Sequence, residues 1–244
     1  MSSNKHLRIS SKTKNDEFPT PSYYVNELID LYKPWIFGKK VFCNCDTDSS
    51  EFPNILTSRQ KELNLGGLNW LGLRKDGTGG FETQESINIL RQSDLVFTNP
   101  PFSLKNQFLD LLIEERKEFI FVAPITCFSK TYIEYYNKGL IDTSYSRTVK
   151  FDTKNIGVVT ITSFKNPYKQ KINYSGNPLK EFEDKTGFPV INKINDLPPS
   201  WDDWIYVPIT FLQYQESQDY IIKYNRYTYV GGKEKFLRLL VKKK

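Results

Sequence analysis

Residues 93–103, SDLVFTNPPFS, carry an apolar run into Asn99, Pro100, Pro101 and Phe102. Each proline fixes its own φ and holds the residue before it extended, so Asn99 and Pro100 sit in a stiff loop. Asn99 offers a side-chain carbonyl and Pro100 a backbone carbonyl. Two rigid acceptors about one amino group apart suit a substrate –NH2. Accepting both hydrogens draws the nitrogen from planar toward tetrahedral geometry and frees its lone pair. Phe102 can stack on the ring that carries the amine. A nucleophilic amine then needs an electrophile, and a methyl sulfonium is one whose leaving group departs without protonation. The chemistry is in-line methyl transfer driven by positioning and preorganised dipoles. It needs no histidine base, and the single histidine, His6, lies in a basic arm. The bland alternative is that N-P-P-F only terminates a strand.

The elements around this loop decide between the two. DLVFTN reads as a strand opened by Asp94, and LKNQFLDLLIEERK as a helix with Leu104, Phe108, Leu111 and Leu112 on one face. Upstream, SYYVNELIDLY places Tyr24, Leu28 and Leu31 at helical spacing, which predicts a helix over about 22–33. KKVFCNCD is a short buried strand, SINILRQS a short helix, EFIFVAP a strand, KTYIEYYNKGL a helix closed by Gly139, and NIGVVTITSF a strand. Residues 47–82 are glycine-rich and poorly patterned, with one weak strand. Strands alternating with helices imply an α/β fold whose central sheet is mainly parallel, with helices on both faces. Ligands in such sheets sit beyond the carboxyl ends of the strands, where TNPPF falls.

The chain has 244 residues, 39% of them hydrophobic and 15% aromatic, enough for one catalytic domain with an appendage. The N-terminus shows no apolar h-region of a signal peptide, and no apolar run reaches the length of a membrane span. Three cysteines, Cys43, Cys45 and Cys127, point to a reducing cytoplasm and to structural thiols, not to a disulfide framework or a metal site. The net charge of +6 permits an anionic partner. Basic residues gather in the N-terminal arm (Lys5, Arg8, Lys12, Lys14), in KNPYKQK (Lys165, Lys169, Lys171, with Tyr168 among them) and at the C-terminus. Solvated termini would give the same pattern. Phosphate neutralisation with aromatic stacking is the functional reading. Trp201, Trp204 and Tyr206 are either stacking residues or, more in keeping with their surroundings, core.

Together these residues resemble a known family. Asn99-Pro100-Pro101-Phe102 looks like motif IV of the amino-methyltransferases that use S-adenosylmethionine. More narrowly, KNDEFPTP (14–21), VFCNCD (41–46), GGFETQESINILRQSDLVFTNPPFSL (79–104), ITCFSKTYIEYYNKGLI (125–141) and WIYVPITFLQYQESQDYII (204–222) resemble the adenine-N6 DNA methyltransferases of the EcoRI modification type. The resemblance implies a class I, Rossmann-like methyltransferase fold with a small C-terminal appendage. Its expected divisions are a basic arm at 1–15, a catalytic domain at 16–164 and a DNA-reading segment at 165–244. It implies S-adenosylmethionine as cofactor, duplex DNA as partner and a flipped adenine as target. Asp16, Phe18, Thr20, Pro21, Asn44, Cys45, Asp46, Phe81 and Asn99 would contact the cofactor. Asn99, Pro100, Pro101 and Phe102 would carry the chemistry, and Lys12, Lys14, Lys165, Lys169 and Lys171 would meet DNA. Three departures stand out: Pro19 replaces a tyrosine, the stretch between VFCNCD and GGFET is much shorter than in the EcoRI-type enzyme and has no clear strand-end acid for the ribose hydroxyls, and Gly80 stands where an aspartate is expected. The loop after the first strand also has no glycine. Asn44, Asp46 and Asp48 tolerate unusual backbone geometry and could serve in place of glycine. Two other readings stay open: methylation of RNA or another planar amine, and a DNA-binding protein that has lost its cofactor.

Overall fold

In the computed structural model, residues 19–73, 79–144, 146–152, 154–176, 187–230 and 233–244 are described. These described residues form two compact units, one from those up to 127 plus 147–164, the other from those in 128–146 plus 165–244. The expected catalytic span, 16–164, is therefore interrupted: 128–146 packs with the C-terminal segment.

The first unit opens with α1 (Ser22–Ile36), preceded by Pro21, whose carbonyl accepts from the Tyr24 and Val25 amides. Tyr24, Val25, Leu28, Ile29, Tyr32 and Ile36 form its buried face. Then follow β1 (Lys40–Asn44), α2 (Glu51–Ser58), β2 (Gly67–Leu71), α3 (Gln84–Gln92), β3 (Leu95–Thr98), α4 (Lys105–Glu114) and β4 (Glu118–Pro124). The hairpin strands β6 (Arg147–Phe151) and β7 (Lys154–Thr162) complete the unit.

The strand order is β2-β1-β3-β4-β7, with β6 on the far side of β7. Pairings among β2, β1, β3 and β4 are parallel, and β7 runs antiparallel to β4. The mainly parallel α/β sheet that the sequence predicts is thus present. Its central strands are apolar on both faces: Val41–Cys43, Leu95–Phe97 and Phe119–Ala123 are all buried. The valine, leucine, isoleucine and phenylalanine side chains among them each contribute roughly 1.5–3 kcal/mol of transfer free energy. The start of β3 is locked to β1 from both sides. The Lys40 amide donates to Asp94 Oδ2 at 2.8 Å, and the Asp94 amide donates to the Lys40 carbonyl at 2.9 Å.

Helix α2 lies in the region that sequence pattern left unassigned. It is two turns long, and Pro53 in its first turn disguises it, although a proline there costs no hydrogen bond. Phe52, Ile55 and Leu56 are its buried anchors.

The second unit contains α5 (Lys130–Asn137), β5 (Asp142–Thr143) and an antiparallel sheet ordered β8-β10-β9, from β8 (Ile205–Pro208), β9 (Tyr220–Val230) and β10 (Lys233–Lys243). Ser129 caps α5 by accepting from the Tyr132 amide, and Gly139 ends it with φ +68°. Asn137 then binds the edge of β9, donating Nδ2 to the Ile222 carbonyl at 2.7 Å and accepting the Ile222 amide at 3.4 Å. Tyr206 is core, its ring edge-on to Phe188.

Candidate active site

Asn99 follows directly on the carboxyl end of β3 and is half-buried; Pro100 is buried, Pro101 and Phe102 half-buried. The Phe102 ring meets Phe151 edge-on, with centroids 6.3 Å apart. One residue earlier, Thr98 donates Oγ1 to Asp46 Oδ2 at 2.5 Å. That bond ties the N-P-P-F loop to the loop after β1. A second tie comes from the N-terminal side: Asn99 Nδ2 donates to Thr20 Oγ1 at 2.9 Å. Thr20 is buried, set between Pro19 and Pro21 just ahead of α1. The structure therefore brings Thr20, Asp46 and Asn99 into one connected array.

The loop after β1 solves its lack of glycine in an unexpected way. The left-handed backbone falls on Cys45, with φ +103°, and not on Asn44 or Asp46. The missing glycine is supplied from across the sheet. Asn44 pairs with Leu71, and the residue after it, Gly72, approaches so closely that a Cβ there would lie 2.8 Å from the Asp46 carbonyl oxygen. The Cys45 amide completes the cradle by donating to the Leu71 carbonyl at 3.0 Å.

Two polar side chains at this cradle, Asp46 and Asn44, are only partly satisfied among the described residues. Asp46 is 5% exposed, and among the described residues no lysine or arginine pairs with it. Burial pushes its carboxyl up to about 7, against the downward pull of hydrogen bonds from Thr98 and Ser50. Asn44 is fully buried; its Oδ1 accepts from Ser86 Oγ at 3.0 Å, while its Nδ2 finds no acceptor among the described residues. The chemistry of this donor set suits a zwitterionic cofactor with a cationic centre: among the described residues, a carboxyl lacking a cation, an amide nitrogen lacking an acceptor, and backbone opened by a glycine. Cys43 and Cys45 are held well above the ordinary thiol range, by burial first and the Asp46 charge second, so neither is a thiolate nucleophile.

Gly80, where the resemblance calls for an acid, has one close by. A Cβ at Gly80 would lie 2.8 and 2.9 Å from the carboxylate oxygens of Glu82. Glu82 is exposed, and its charge reaches Cys45. Phe81, just ahead of α3, is buried with its ring edge-on to Phe108 of α4, centroids 5.3 Å apart. Pro21 serves as the cap of α1. Lys12, Lys14, Asp16 and Phe18 lie outside the described residues.

Lys169 is a correction. Expected on a basic surface, it is buried in the second unit, its Nζ 2.7 Å from Asp142 Oδ1 and 2.8 Å from the Tyr136 hydroxyl. Asp142 Oδ2 in turn accepts from the Asn166 amide and Gln218 Nε2, each at 2.9 Å. A lysine spent in this way cannot neutralise phosphate. Lys165 and Lys171 are exposed. Trp204 carries Lys223 Nζ 4.0 Å above its ring. Sequence reasoning missed Thr98, Ser86, Gly72 and Glu82; only the acid near Gly80 had a signal, its closeness in the chain.

Residues 60–138, which include β3 and the N-P-P-F loop, match the family model described as adenine-specific methyltransferase EcoRI. The chain is related to the EcoRI-type adenine-specific methyltransferases. The Type II methyltransferase M.EcoRI of Escherichia coli is 25% identical, over 99% of this chain and 97% of that one. M.MgeORF184P of Mycoplasma genitalium, also a Type II methyltransferase, is 25% identical over 98% of each. M.MpnI of Mycoplasma pneumoniae, of the same description, is 27% identical over 83% of this chain and 80% of its own. No helix among the described residues is long and apolar enough to cross a membrane.

Proposed function

We propose that this chain is a site-specific DNA methyltransferase that transfers the methyl group of S-adenosylmethionine to the N6 amine of adenine. The observation that carries the reading is the rigid Asn99-Pro100-Pro101-Phe102 loop at the end of β3, tied through Thr98 to the Asp46 cradle. Asn44 and Asp46 would hold the cofactor there, with Gly72 leaving room for the approach, and Glu82 would supply the acid that position 80 lacks. When bound, the cofactor supplies the electrophilic methyl, and its sulfur leaves with the bonding pair.

The protein's own part is positional. Asn99 Oδ1 and the Pro100 carbonyl accept the two hydrogens of the amine and raise the electron density on its nitrogen. Phe102 stacks on the purine and fixes the direction of attack. The proton is lost after the C–N bond has formed, when the nitrogen is strongly acidic, so no strong base acts beforehand. An adenine in a duplex must first leave the stack, at a cost of a few kcal/mol. Lys165 and Lys171 of the second unit, the segment assigned to DNA reading, would contribute phosphate contacts that position but do not specify.

The test is transfer of radiolabelled methyl from S-adenosylmethionine to unmethylated bacterial DNA, with RNA as competitor. Label should appear as N6-methyladenine and fall at least about 100-fold in Asn99→Ala. Label on RNA in preference to DNA would overturn the substrate. Salt-sensitive DNA binding with no label at saturating cofactor would mean a binding module instead.

A further inference from the structure

Pro100 holds the backbone of Asn99 extended but does not fix its carboxamide. The last torsion of asparagine is broad and two-fold, so the amide can present either its oxygen or its nitrogen to the amine. Only the oxygen accepts hydrogen bonds from an amine; the NH2 end would oppose two sets of hydrogens. The amide therefore needs an acceptor on the side away from substrate. The structure supplies one: Thr20 Oγ1, 2.9 Å from Asn99 Nδ2 and 79 residues away in sequence.

We infer that Thr20 is a positioning residue, whose hydroxyl holds the Nδ2 end of Asn99 so that Oδ1 is presented to the target amine. The inference rests on the methyl-transfer reading above. Three features suit Thr20 to this work. It is 6% exposed, so water competes poorly for Nδ2. Its backbone is held extended by Pro21, and Pro21 is anchored by the first turn of α1. A hydroxyl also has two acceptor sites besides its proton, so Thr20 can hold Nδ2 and still donate elsewhere, to a cofactor oxygen for example. Thr20 would then bind the cofactor and orient the catalytic amide at once, but its loss would be felt chiefly in the chemical step.

The experiment compares Thr20→Val, which keeps the shape and removes the hydroxyl, with Thr20→Ser, which restores it. Two readouts are used. The first is the ¹⁵N side-chain amide signal of Asn99, identified by its absence in Asn99→Ala and recorded without cofactor or DNA. Slow exchange of this NH2 is expected in the wild type and in Thr20→Ser, and fast exchange in Thr20→Val. The second is steady-state methylation of unmethylated DNA. For Thr20→Val, kcat should fall roughly 100-fold, while KM for S-adenosylmethionine changes by less than about threefold; Thr20→Ser should recover most of the rate. A tenfold or larger rise in that KM with kcat preserved, or an Asn99 amide signal unchanged by Thr20→Val, would overturn the proposal. If the wild type transfers no methyl to DNA, the functional reading fails by itself, and the amide spectra still decide whether Thr20 holds Asn99.

Discussion

Asp46→Asn tests the electrostatic logic of the cradle without any substrate. Burial raises this carboxyl from 3.8 to about 7. Keeping it ionised in the folded chain therefore costs about 4 kcal/mol. The sign follows from which state holds the proton. Below 3.8 the side chain is neutral in both folded and unfolded chains, and it neither adds nor removes stability. Between 3.8 and 7 the unfolded chain gives up the proton while the folded chain keeps it, so stability drains as pH rises. Above 7 both are ionised and the full cost is present. Asparagine never ionises and can still accept the Thr98 hydroxyl, which lies 2.5 Å away. The variant should thus be more stable than the wild type by as much as about 4 kcal/mol near pH 8, and within about 1 kcal/mol near pH 4. Urea titrations of both proteins across that range measure the gap, and groups common to the two cancel. A gap independent of pH, or a variant less stable than wild type near pH 8, would refute a carboxyl held up to about 7 by burial. Adding S-adenosylmethionine near pH 8 should stabilise the wild type more than the variant, because a cationic ligand relieves the cost only where a charge exists.

Other consequences are quicker to state. Gly72→Ala forces a Cβ to within 2.8 Å of the Asp46 carbonyl, a backbone atom that cannot swing away. It should lower stability by about 1–3 kcal/mol in a thermal or urea unfolding measurement. Lys169→Met leaves Asp142 buried without its cation, and should cost about 3–5 kcal/mol of stability in the second unit. Lys165→Ala and Lys171→Ala should instead fold normally and each reduce the slope of log affinity for DNA against log salt by about 1, measured by fluorescence anisotropy.

The contrast between Lys169 and Lys165 shows where sequence reading stops. Both stand in KNPYKQK, and composition counts both as surface charge. What separates them is Asp142, 27 residues away, which draws Lys169 into the interior through a turn that no local pattern announces. The parallel core was legible because each strand carries its own signal: VFC, LVF and FIFVA are apolar on both faces and need no partner to be recognised. The N-P-P-F loop was legible for the same reason, since proline acts on its neighbours in sequence. Helix α2 was hidden by its length and by Pro53, and β10 by its charged, unalternating ends. The cradle depended on register. The loop after β1 contains no glycine; the close approach is made by Gly72, which reaches Asp46 only once Asn44 is paired with Leu71. Cys45 can then occupy a left-handed backbone that a non-glycine residue adopts at a cost of order 1–3 kcal/mol, held by pairing on both strands. Strain of this kind is kept where the neighbouring structure over-determines it, and here it aims Asp46 at Thr98 and the loop that bears Asn99. The same logic applies to Thr20, whose hydroxyl is uninformative in sequence and becomes specific only when α1 brings it to the end of β3. Local chemistry named the reacting group; the groups that orient it were set by pairings between distant strands and helices.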